Sequence, residues 1–290
     1  MFAGLSQYGA LTPIFHAASE VLGFDLYDLP KVSNDIDIFQ NEVAQVLMCA
    51  SAIATWSVLR EDIPIPAVFA GYSIGELAAY CLAGSLRPSE TFSLAKQRAV
   101  LMDRCLPGGM LAVRGLDRGQ VGALCSRYQL EVAIINGPLH YVLGGDNDLL
   151  KDAVHEAEKL GAKTVRVLNV SVASHVSRME PAATLFREAL ERSGLTKAAV
   201  PVLSCVSAKA AYDRASAIEG LSAQLSHTLQ WYKCMRAASE MGVTVFLEML
   251  PGSSLTRMVL SEVSGASSRA CAEFKTIMGA AAWTHRQCTE

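Results

Sequence analysis

The chain has 290 residues, of which 51% are hydrophobic and 18% charged, and its formal net charge is −3 at pH 7. This composition is typical of a globular protein with a large core and excludes a disordered chain. Without Lys/Arg runs, no nucleic-acid partner is expected. Eight cysteines form no Cys-x-x-Cys pair, which favours a reduced, cytoplasmic protein with neither a zinc site nor a disulfide framework.

The first part of the chain is predicted to be mainly helical. Apolar residues recur with helical periodicity over residues 12–22, 40–60, 75–83 and 88–105. The segment 43–59 carries no charge, but Gln45, Ser51, Thr55 and Ser57 interrupt it. It is therefore too short and too polar for a confident membrane span, and a buried helix is favoured, with no membrane partner.

The middle of the chain changes pattern after residues 107–109, Pro-Gly-Gly. Strands are predicted at 110–115, 131–136, 140–144 and 163–170, with helices at 118–127 and 149–160. The resulting βαββαβ order is typical of a ferredoxin-like unit, a four-stranded sheet with two helices on one face. We expect this subdomain to span 108–170, inserted into a larger α/β domain made of 1–107 and 171–290.

The last part predicts helices at 180–193, 217–225 and 232–241, and strands at 200–206 and 244–248. The final twenty or so residues carry little pattern, so they are expected to be loosely held.

A strand–turn–helix pattern is the most informative motif. The apolar run 65–69 leads into Gly71-x-Ser73-x-Gly75, then Glu76 and an uncharged helical stretch at 77–80. This pattern predicts a nucleophile elbow, in which glycines permit a tight turn that leaves the serine hydroxyl exposed at a helix N-terminus. Free N–H groups there favour an anion forming beside Ser73. The alternative is an ordinary strand-to-helix turn.

A serine nucleophile needs a base, and His175 is the first candidate. It leaves a predicted strand into a loop, which is where α/β domains place catalytic groups. His227, also in a loop, is the second candidate. The other histidines are expected to be structural or on the surface; they are His16, His140, His155 and His285.

Arg98 lies within an apolar helix stripe formed by Leu94, Leu101 and Cys105. A guanidinium directed into a core is costly unless an anion meets it. One reading is a buried pair with Asp or Glu. The other is a bidentate fork for a substrate carboxylate, and spacing alone does not separate the two.

Together these residues resemble the malonyl-CoA:acyl-carrier-protein acyltransferases. The resemblance rests on residues 71–76 (Gly-Tyr-Ser-Ile-Gly-Glu), on Arg98, on Val-Ala-Ser-His at 172–175, and on Gln224-Leu225 followed by Gln230-Trp231. Glu-Met-Leu-Pro-Gly at 248–252 resembles the closing motif of that family. The likeness runs from near residue 1 to about residue 260. It implies an α/β fold with an α/β-hydrolase-like larger domain, a parallel sheet core and the inserted ferredoxin-like subdomain.

The resemblance also implies a two-step mechanism with malonyl-CoA as substrate, an acyl carrier protein as partner and no bound cofactor. Ser73 would attack the malonyl thioester while His175 takes its proton, and the carrier thiol would then accept the malonyl group. The main-chain carbonyl of Gln224 would orient the histidine in place of an Asp. Arg98 would hold the free malonyl carboxylate, and the Ile74 N–H would be one oxyanion donor.

Two departures from the family pattern stand out. Tyr72 occupies the position where the family usually has His; this position supports the elbow and is not the base. The family also opens with a strand and a Gly-Gln-Gly loop, whereas this chain begins at Met1-Phe2-Ala3, and Gln7 is not a convincing substitute for the loop glutamine. The natural protein is therefore expected to be longer, because a lost oxyanion donor and an unpaired sheet edge would both be costly.

Within the family, the elbow and residues 39–49 look most like the malonyltransferase (epsilon) component of malonate decarboxylase. The alternative is a general malonyltransferase of fatty-acid or polyketide synthesis. Two further readings stay open. A serine esterase or thioesterase would need an acidic triad member and gives Arg98 no role. A non-catalytic copy would only bind a carrier protein.

Overall fold

The structure is a computed structural model that describes residue 5, residues 7–28 and residues 37–289. The opening segment 1–4, which bears on the expected loss of a first strand, lies outside the described residues. The first part of the chain is mainly helical, as its periodicity predicts. Its elements are α1 Thr12–Leu22, α2 Asn41–Leu59, β1 Phe69–Ala70, α3 Ile74–Leu82 and α4 Pro88–Asp103.

Helix α2 lies at the centre of the larger core. By length and composition it would suffice to cross a membrane. Eleven of its nineteen residues are nevertheless buried, and it packs against α1, α3 and α4. The prediction of a buried helix is therefore confirmed.

The middle of the chain forms a unit with its own sheet and its own core. Its elements are β2 Gly109–Arg114, α5 Arg118–Tyr128, β3 Glu131–Gly137, β4 His140–Gly145, α6 Asn147–Lys159 and β5 Thr164–Val167, in the predicted βαββαβ order. The four strands are antiparallel and lie in the order β3-β4-β2-β5. The two helices contact each other and cover an apolar core that includes Leu111, Val121 and Leu143.

The chain then returns to the larger unit. Its remaining elements are α7 Glu180–Arg192, β6 Val202–Leu203, β7 Ala210–Ala211, α8 Arg214–Ala223, α9 Trp231–Glu240, β8 Val245–Glu248, α10 Ser254–Glu262, β9 Ser267–Ala270 and α11 Ile277–Thr289.

The sheet of the larger unit differs from the expected parallel sheet core. Within the described ranges, β1 pairs in parallel with β6 and β7 joins β6 antiparallel, while β8 and β9 form a separate parallel pair. The strands predicted at 65–69 and 200–206 shrink to two residues each. Ile65 is 87% exposed, and Pro66 has no N–H to donate. The N–H of Cys205 donates to the Glu76 carboxylate, at 3.0 Å, instead of to a strand.

The expectation of a loosely held C-terminal segment is wrong. Residues 277–289 form α11, which buries Ile277, Ala280 and Ala281 and contacts α2. Its small apolar residues fit against another helix without making a strong periodic pattern, which explains why the sequence did not reveal it. Strand β9 was missed for a similar reason, because Ser-Ser-Arg-Ala has no β-branched or aromatic residue.

The two units meet along β3. The Ile135 N–H donates to the Leu229 carbonyl, and the Leu229 N–H donates to the Ala133 carbonyl, both at 2.9 Å. The Thr228 hydroxyl donates to the Val132 carbonyl at 2.6 Å. The small sheet therefore fixes the segment that leads from α8 to α9.

Glu248 ties β8 to the start of α10. Its carboxylate accepts hydrogen bonds from the N–H groups of Leu255 and Thr256, at 3.2 and 2.7 Å. These two donors belong to the first helical turn, where N–H groups have no intrahelical acceptor. Glu248 therefore caps the N-terminus of α10 from the neighbouring strand β8.

We expect Glu248→Ala to lower the free energy of unfolding by about 1–2 kcal/mol, the usual effect of losing a helix cap. For a chain of this size, the melting temperature should fall by roughly 2–8 °C, measured by thermal unfolding. Glu240→Ala is the control, because Glu240 is exposed and makes only a surface ion pair with Arg236 at 3.8 Å. Equal melting temperatures for the two variants would contradict the capping role.

Candidate active site

Ser73 lies in a strained turn between β1 and α3. Its backbone has φ +53° and ψ −117°, a conformation that L-residues rarely adopt. Gly71 makes the turn possible, because a Cβ at that position would lie 2.0 Å from the carbonyl carbon and oxygen of Gly75. The predicted strand–turn–helix arrangement is present. Ile74 is the first residue of α3, where an N–H has no intrahelical acceptor.

The structure places His175 against Ser73. The imidazole Nε2 lies 2.9 Å from Ser73 Oγ, and Nδ1 lies 2.5 Å from the main-chain oxygen of Gln224. Because a carbonyl only accepts, Nδ1 carries the proton and Nε2 is left to accept from the serine hydroxyl. The His175 backbone has φ +64°, and its N–H donates to the Leu225 carbonyl at 2.8 Å.

The surroundings keep His175 neutral. It is 2% exposed, and burial lowers its pKa to about 3, helped by the nearby Arg98 charge and opposed by the bond to the Gln224 carbonyl. An imidazole with this pKa is unprotonated at neutral pH. It is therefore available to receive a proton from Ser73.

Arg98 lies in the same cluster and is 2% exposed. Its Nη1 donates to Gln45 Oε1 at 2.7 Å, and its Nη2 donates to Ser73 Oγ at 3.2 Å and to Gln224 Oε1 at 3.4 Å. Within the described part of the chain, no carboxylate forms an ion pair with it. The reading of a buried Arg–Asp or Arg–Glu pair is therefore wrong for these residues.

The charge of Arg98 persists in this environment. Burial lowers its pKa to about 10, so the guanidinium remains protonated at neutral pH. Its buried Nε has no hydrogen-bond partner among the residues that the structure describes. A buried cation met only by neutral groups is costly unless an anion arrives. The cluster therefore has the electrostatic character of an anion site beside a serine hydroxyl.

A line of amides holds Arg98 from the side of α2. The Gln45 Nε2 donates to Asn41 Oδ1 at 2.8 Å, and the Asn41 Nδ2 donates to Asp103 Oδ1 at 2.8 Å. Since a guanidinium only donates and a carboxylate only accepts, each amide has one orientation that satisfies both neighbours. The line therefore presents a carbonyl oxygen to Arg98.

The other histidines lie away from this cluster. His227, the second candidate base, is exposed, and its Nδ1 lies 3.0 Å from Ser226 Oγ. The choice of His175 over His227 therefore agrees with the geometry. The remaining four are half-buried on β4 or exposed on helices; they are His140, His16, His155 and His285.

Tyr72 precedes Ser73, and its ring packs against the first residue of α9. Its ring meets Trp231 edge-on, with centroids 5.5 Å apart. Burial raises the pKa of the Tyr72 hydroxyl well above its ordinary value. Tyr72 therefore supports the elbow by packing, which is the role expected for its position.

Sequence reasoning gave no role to Gln45 or Glu76, although both are buried at the site. Gln45 is a long polar side chain within a largely apolar helix, so its position carried a signal. Glu76 follows Ser73 on α3 as part of the elbow motif, but only the folded chain shows that its carboxylate reaches Cys205 and Gln224.

The acyl transferase domain family matches residues 16–280 of this chain. The chain therefore belongs to the acyl transferase domain family. The malonyl CoA-acyl carrier protein transacylase of Salmonella typhimurium is 29% identical over 260 residues, which cover 87% of this chain and 84% of that protein.

Two solved structures share the fold closely. An acyl carrier protein S-malonyltransferase from Vibrio cholerae superposes with a TM-score of 0.88 at 29% identity, covering 97% of this chain and 94% of that one. A malonyl-transacylase in complex with a type II polyketide-synthase acyl carrier protein superposes with a TM-score of 0.91 at 26% identity, covering 99% and 94%. The predicted α/β class is confirmed by these likenesses.

The two glycines of the elbow should respond differently to an added methyl group. We expect Gly71→Ala to destabilise the fold by about 3 kcal/mol, because its Cβ has no room against the Gly75 backbone. Gly75→Ala is the matched control: nothing lies within 4 Å of its added Cβ, so stability should stay within about 1 kcal/mol of wild type. Urea denaturation measures both, and similar losses would contradict the close approach at Gly71.

Proposed function

We propose that this protein transfers a malonyl group from malonyl-CoA to the phosphopantetheine-type thiol of an acyl carrier protein, through an ester on Ser73. The observation that carries the proposal is a buried Arg98 without a carboxylate partner, 3.2 Å from Ser73 Oγ. The names of the relatives support it, since they are malonyltransferases that act with acyl carrier proteins.

In the first half-reaction, Ser73 Oγ attacks the thioester carbon and passes its proton to His175 Nε2. The C–O bond forms, the C–S bond breaks, and the proton then goes to the departing CoA sulfur. The carrier thiol reverses these steps in the second half-reaction. The Gln224 carbonyl, 2.5 Å from Nδ1, holds the imidazole in the required tautomer and stabilises it when it becomes charged.

Two groups stabilise the negative charge that develops in this scheme. The Ile74 N–H, at the first position of α3, is proposed as an oxyanion donor, helped by the positive end of the helix. Arg98 donates to Ser73 Oγ and so favours loss of the serine proton. The scheme uses these groups alone and calls for no bound cofactor, since malonyl-CoA is the substrate.

Arg98 is proposed to select the acyl group. A malonyl thioester ends in a free carboxylate that a guanidinium can hold through two parallel hydrogen bonds. Acetyl and longer neutral acyl groups would leave the buried charge unmatched. Selectivity therefore follows from the cost of an unpaired buried cation.

An esterase or thioesterase is a weaker reading of this site. It calls for an acidic group on the histidine, whereas Nδ1 of His175 meets a main-chain carbonyl. It also gives the buried Arg98 no task. A non-catalytic carrier-binding role leaves unexplained why the hydroxyl and imidazole lie at 2.9 Å.

The pathway has two candidates. The elbow and α2 motifs favour the malonyltransferase component of malonate decarboxylase. The named relatives support the second candidate, a general malonyltransferase of fatty-acid or polyketide synthesis, to the same degree. We also propose that the protein is cytoplasmic, as its cysteine usage suggests, with neither membrane nor nucleic-acid partners.

We propose the division into 1–107 with 171–290 and an inserted 108–170. The strand order β3-β4-β2-β5 supports a ferredoxin-like classification of the inserted part. An α/β-hydrolase-like description of the larger part rests on its strand–elbow–helix arrangement.

The first test is intact-mass spectrometry after brief mixing with malonyl-CoA, with acetyl-CoA in parallel. We expect a malonyl adduct on Ser73 from malonyl-CoA alone, and none on Ser73→Ala, because the ester needs that hydroxyl. The control is Ser89→Ala, an exchange of the same kind near the start of α4. A folded wild-type chain that gains no adduct, or an adduct that persists in Ser73→Ala, would refute the proposal.

The second test is selectivity. We expect Arg98→Ala to lower the acylation rate with malonyl-CoA roughly 100-fold, the effect of losing two charge-assisted hydrogen bonds, and to narrow the preference over acetyl-CoA. Lys96→Ala removes the same charge from the same helix, where Nζ donates to the Val21 carbonyl at 2.8 Å, and should keep wild-type selectivity. Unchanged selectivity in Arg98→Ala would return Arg98 to a structural role.

A further inference from the structure

Glu76 is a fully buried carboxylate to which the proposed mechanism gives no task. It lies on α3 in the turn after Ser73, and its exposed fraction is 0%. Both of its hydrogen bonds fall on one oxygen: Oε2 accepts from the Cys205 N–H at 3.0 Å and from Gln224 Nε2 at 3.4 Å. The other oxygen, Oε1, has no partner among the described residues.

Gln224 connects this carboxylate to Arg98. Its amide oxygen accepts from Arg98 Nη2 at 3.4 Å, while its amide nitrogen donates to Glu76. The carboxylate is therefore one amide away from the guanidinium, so the two charges attract without forming a direct ion pair. On the other side of the guanidinium, Nη1 donates a hydrogen bond to the amide oxygen of Gln45. Arg98 is left with a counter-charge nearby and no carboxylate in contact.

Several ionisable groups surround Glu76. Arg98 on α4 favours its charged form, and the Tyr80 hydroxyl and the Cys205 thiol also interact with it. Behind these, Asp213 interacts with Tyr80 and Cys234 with Cys205. Burial raises the Glu76 pKa to about 7, against the opposing effects of the Cys205 bond and Arg98. A proton on Oε1 would displace no hydrogen bond, because that oxygen has no partner among the described residues. Both protonation states are thus accessible near neutral pH.

We propose that Glu76 is an internal carboxylate that competes with the malonyl carboxylate for Arg98, so that malonyl binding is linked to protonation of Glu76 on Oε1. Glu76 is thereby a positioning and selectivity-setting residue that acts through Gln224 and Arg98. This inference rests on the proposed function of the site.

The sign of the linkage follows from the charges. Before binding, one buried cation faces one carboxylate; the malonyl group adds a second carboxylate, which disfavours the ionised form of Glu76. The pKa of Glu76 therefore rises on binding, and a proton is taken up near pH 7. Below that pH, Glu76 is already neutral and malonyl-CoA binds best. Above it, binding must first neutralise Glu76 and becomes weaker.

Glu76→Gln separates charge from structure. A glutamine with its oxygen in the Oε2 position keeps both hydrogen bonds and loses only the negative charge. Glu248→Gln is the control for the exchange itself. Glu248 ends β8, makes no hydrogen bond to Arg98 and accepts one hydrogen bond on each oxygen, so its glutamine keeps one of the two.

The experiment measures the rate of malonyl-enzyme formation by rapid quenching and intact mass, between pH 6 and pH 9. We expect the half-saturating malonyl-CoA concentration of wild type to rise about tenfold over this range, which corresponds to one pKa unit of coupling. Glu76→Gln should show a low, pH-independent value. Glu248→Gln should follow wild type.

A neutral substrate isolates the carboxylate. Malonamyl-CoA, the amide analogue, carries the same CoA phosphates and nearly the same shape, and its inhibition constant as a competitor of malonyl-CoA should not follow this trend. The Ser73 proton ends on the CoA thiol, so transfer itself is proton-neutral. Proton uptake, measured with an indicator dye at pH 7, is therefore expected only when the malonyl-enzyme forms, because Glu76 then takes up a proton. This readout needs no variant that must fold.

The outcomes are distinct. A flat wild-type profile, an unchanged slope in Glu76→Gln, the same slope with malonamyl-CoA, or no proton uptake would overturn the inference and leave malonyl transfer standing. A folded wild-type chain that forms no adduct at any pH would overturn the proposed function and this inference with it.

Discussion

A buried guanidinium must be met by acceptors, and the arrangement of this site follows from how Arg98 is met. The acceptors are the amide oxygens of Gln45 and Gln224 and the Ser73 hydroxyl, which belong to α2, to the end of α8 and to the elbow. Three distant segments are thus held around one charge. Because the acceptors are neutral or weakly acidic, the charge is solvated without being cancelled, and it stays available to an incoming anion.

Two strained residues are held in place around that charge. Ser73 and His175 both have positive φ, at 53° and 64°, which costs energy that surrounding contacts must offset. Gly71 supplies the close approach under the elbow. The small sheet stabilises the other side, because β3 pairs with Leu229 just beyond the Gln224 carbonyl that orients the imidazole. The smaller unit therefore contributes to the geometry of the site.

Most helices were predicted well because their apolar residues repeat often enough to reveal one face; α1 begins and ends where the pattern does, whereas α10 and α11 were not predicted. Among the strands of the larger unit, β8 was predicted within one residue. In contrast, β1 and β6 were predicted too long and β7 and β9 were missed, since their pairing is decided elsewhere. The N–H of Cys205 is taken by a carboxylate, which shortens β6 against its apolar run. Helix α11 escaped notice because alanines that pack against a neighbour look featureless in a sequence.

The sequence by itself determined which side chains are available for catalysis and binding: a serine in a strand–turn–helix motif, a histidine in a sheet-end loop, and an arginine on an apolar helix stripe. These are local properties, fixed by spacing within one element. Only the tertiary structure decided which groups meet Arg98, because Gln45 and Gln224 come from segments far apart in the chain, as does Glu76, which Gln224 connects to Arg98. Whether a buried charge is paired or left open depends on distances between elements, and no local pattern encodes those distances.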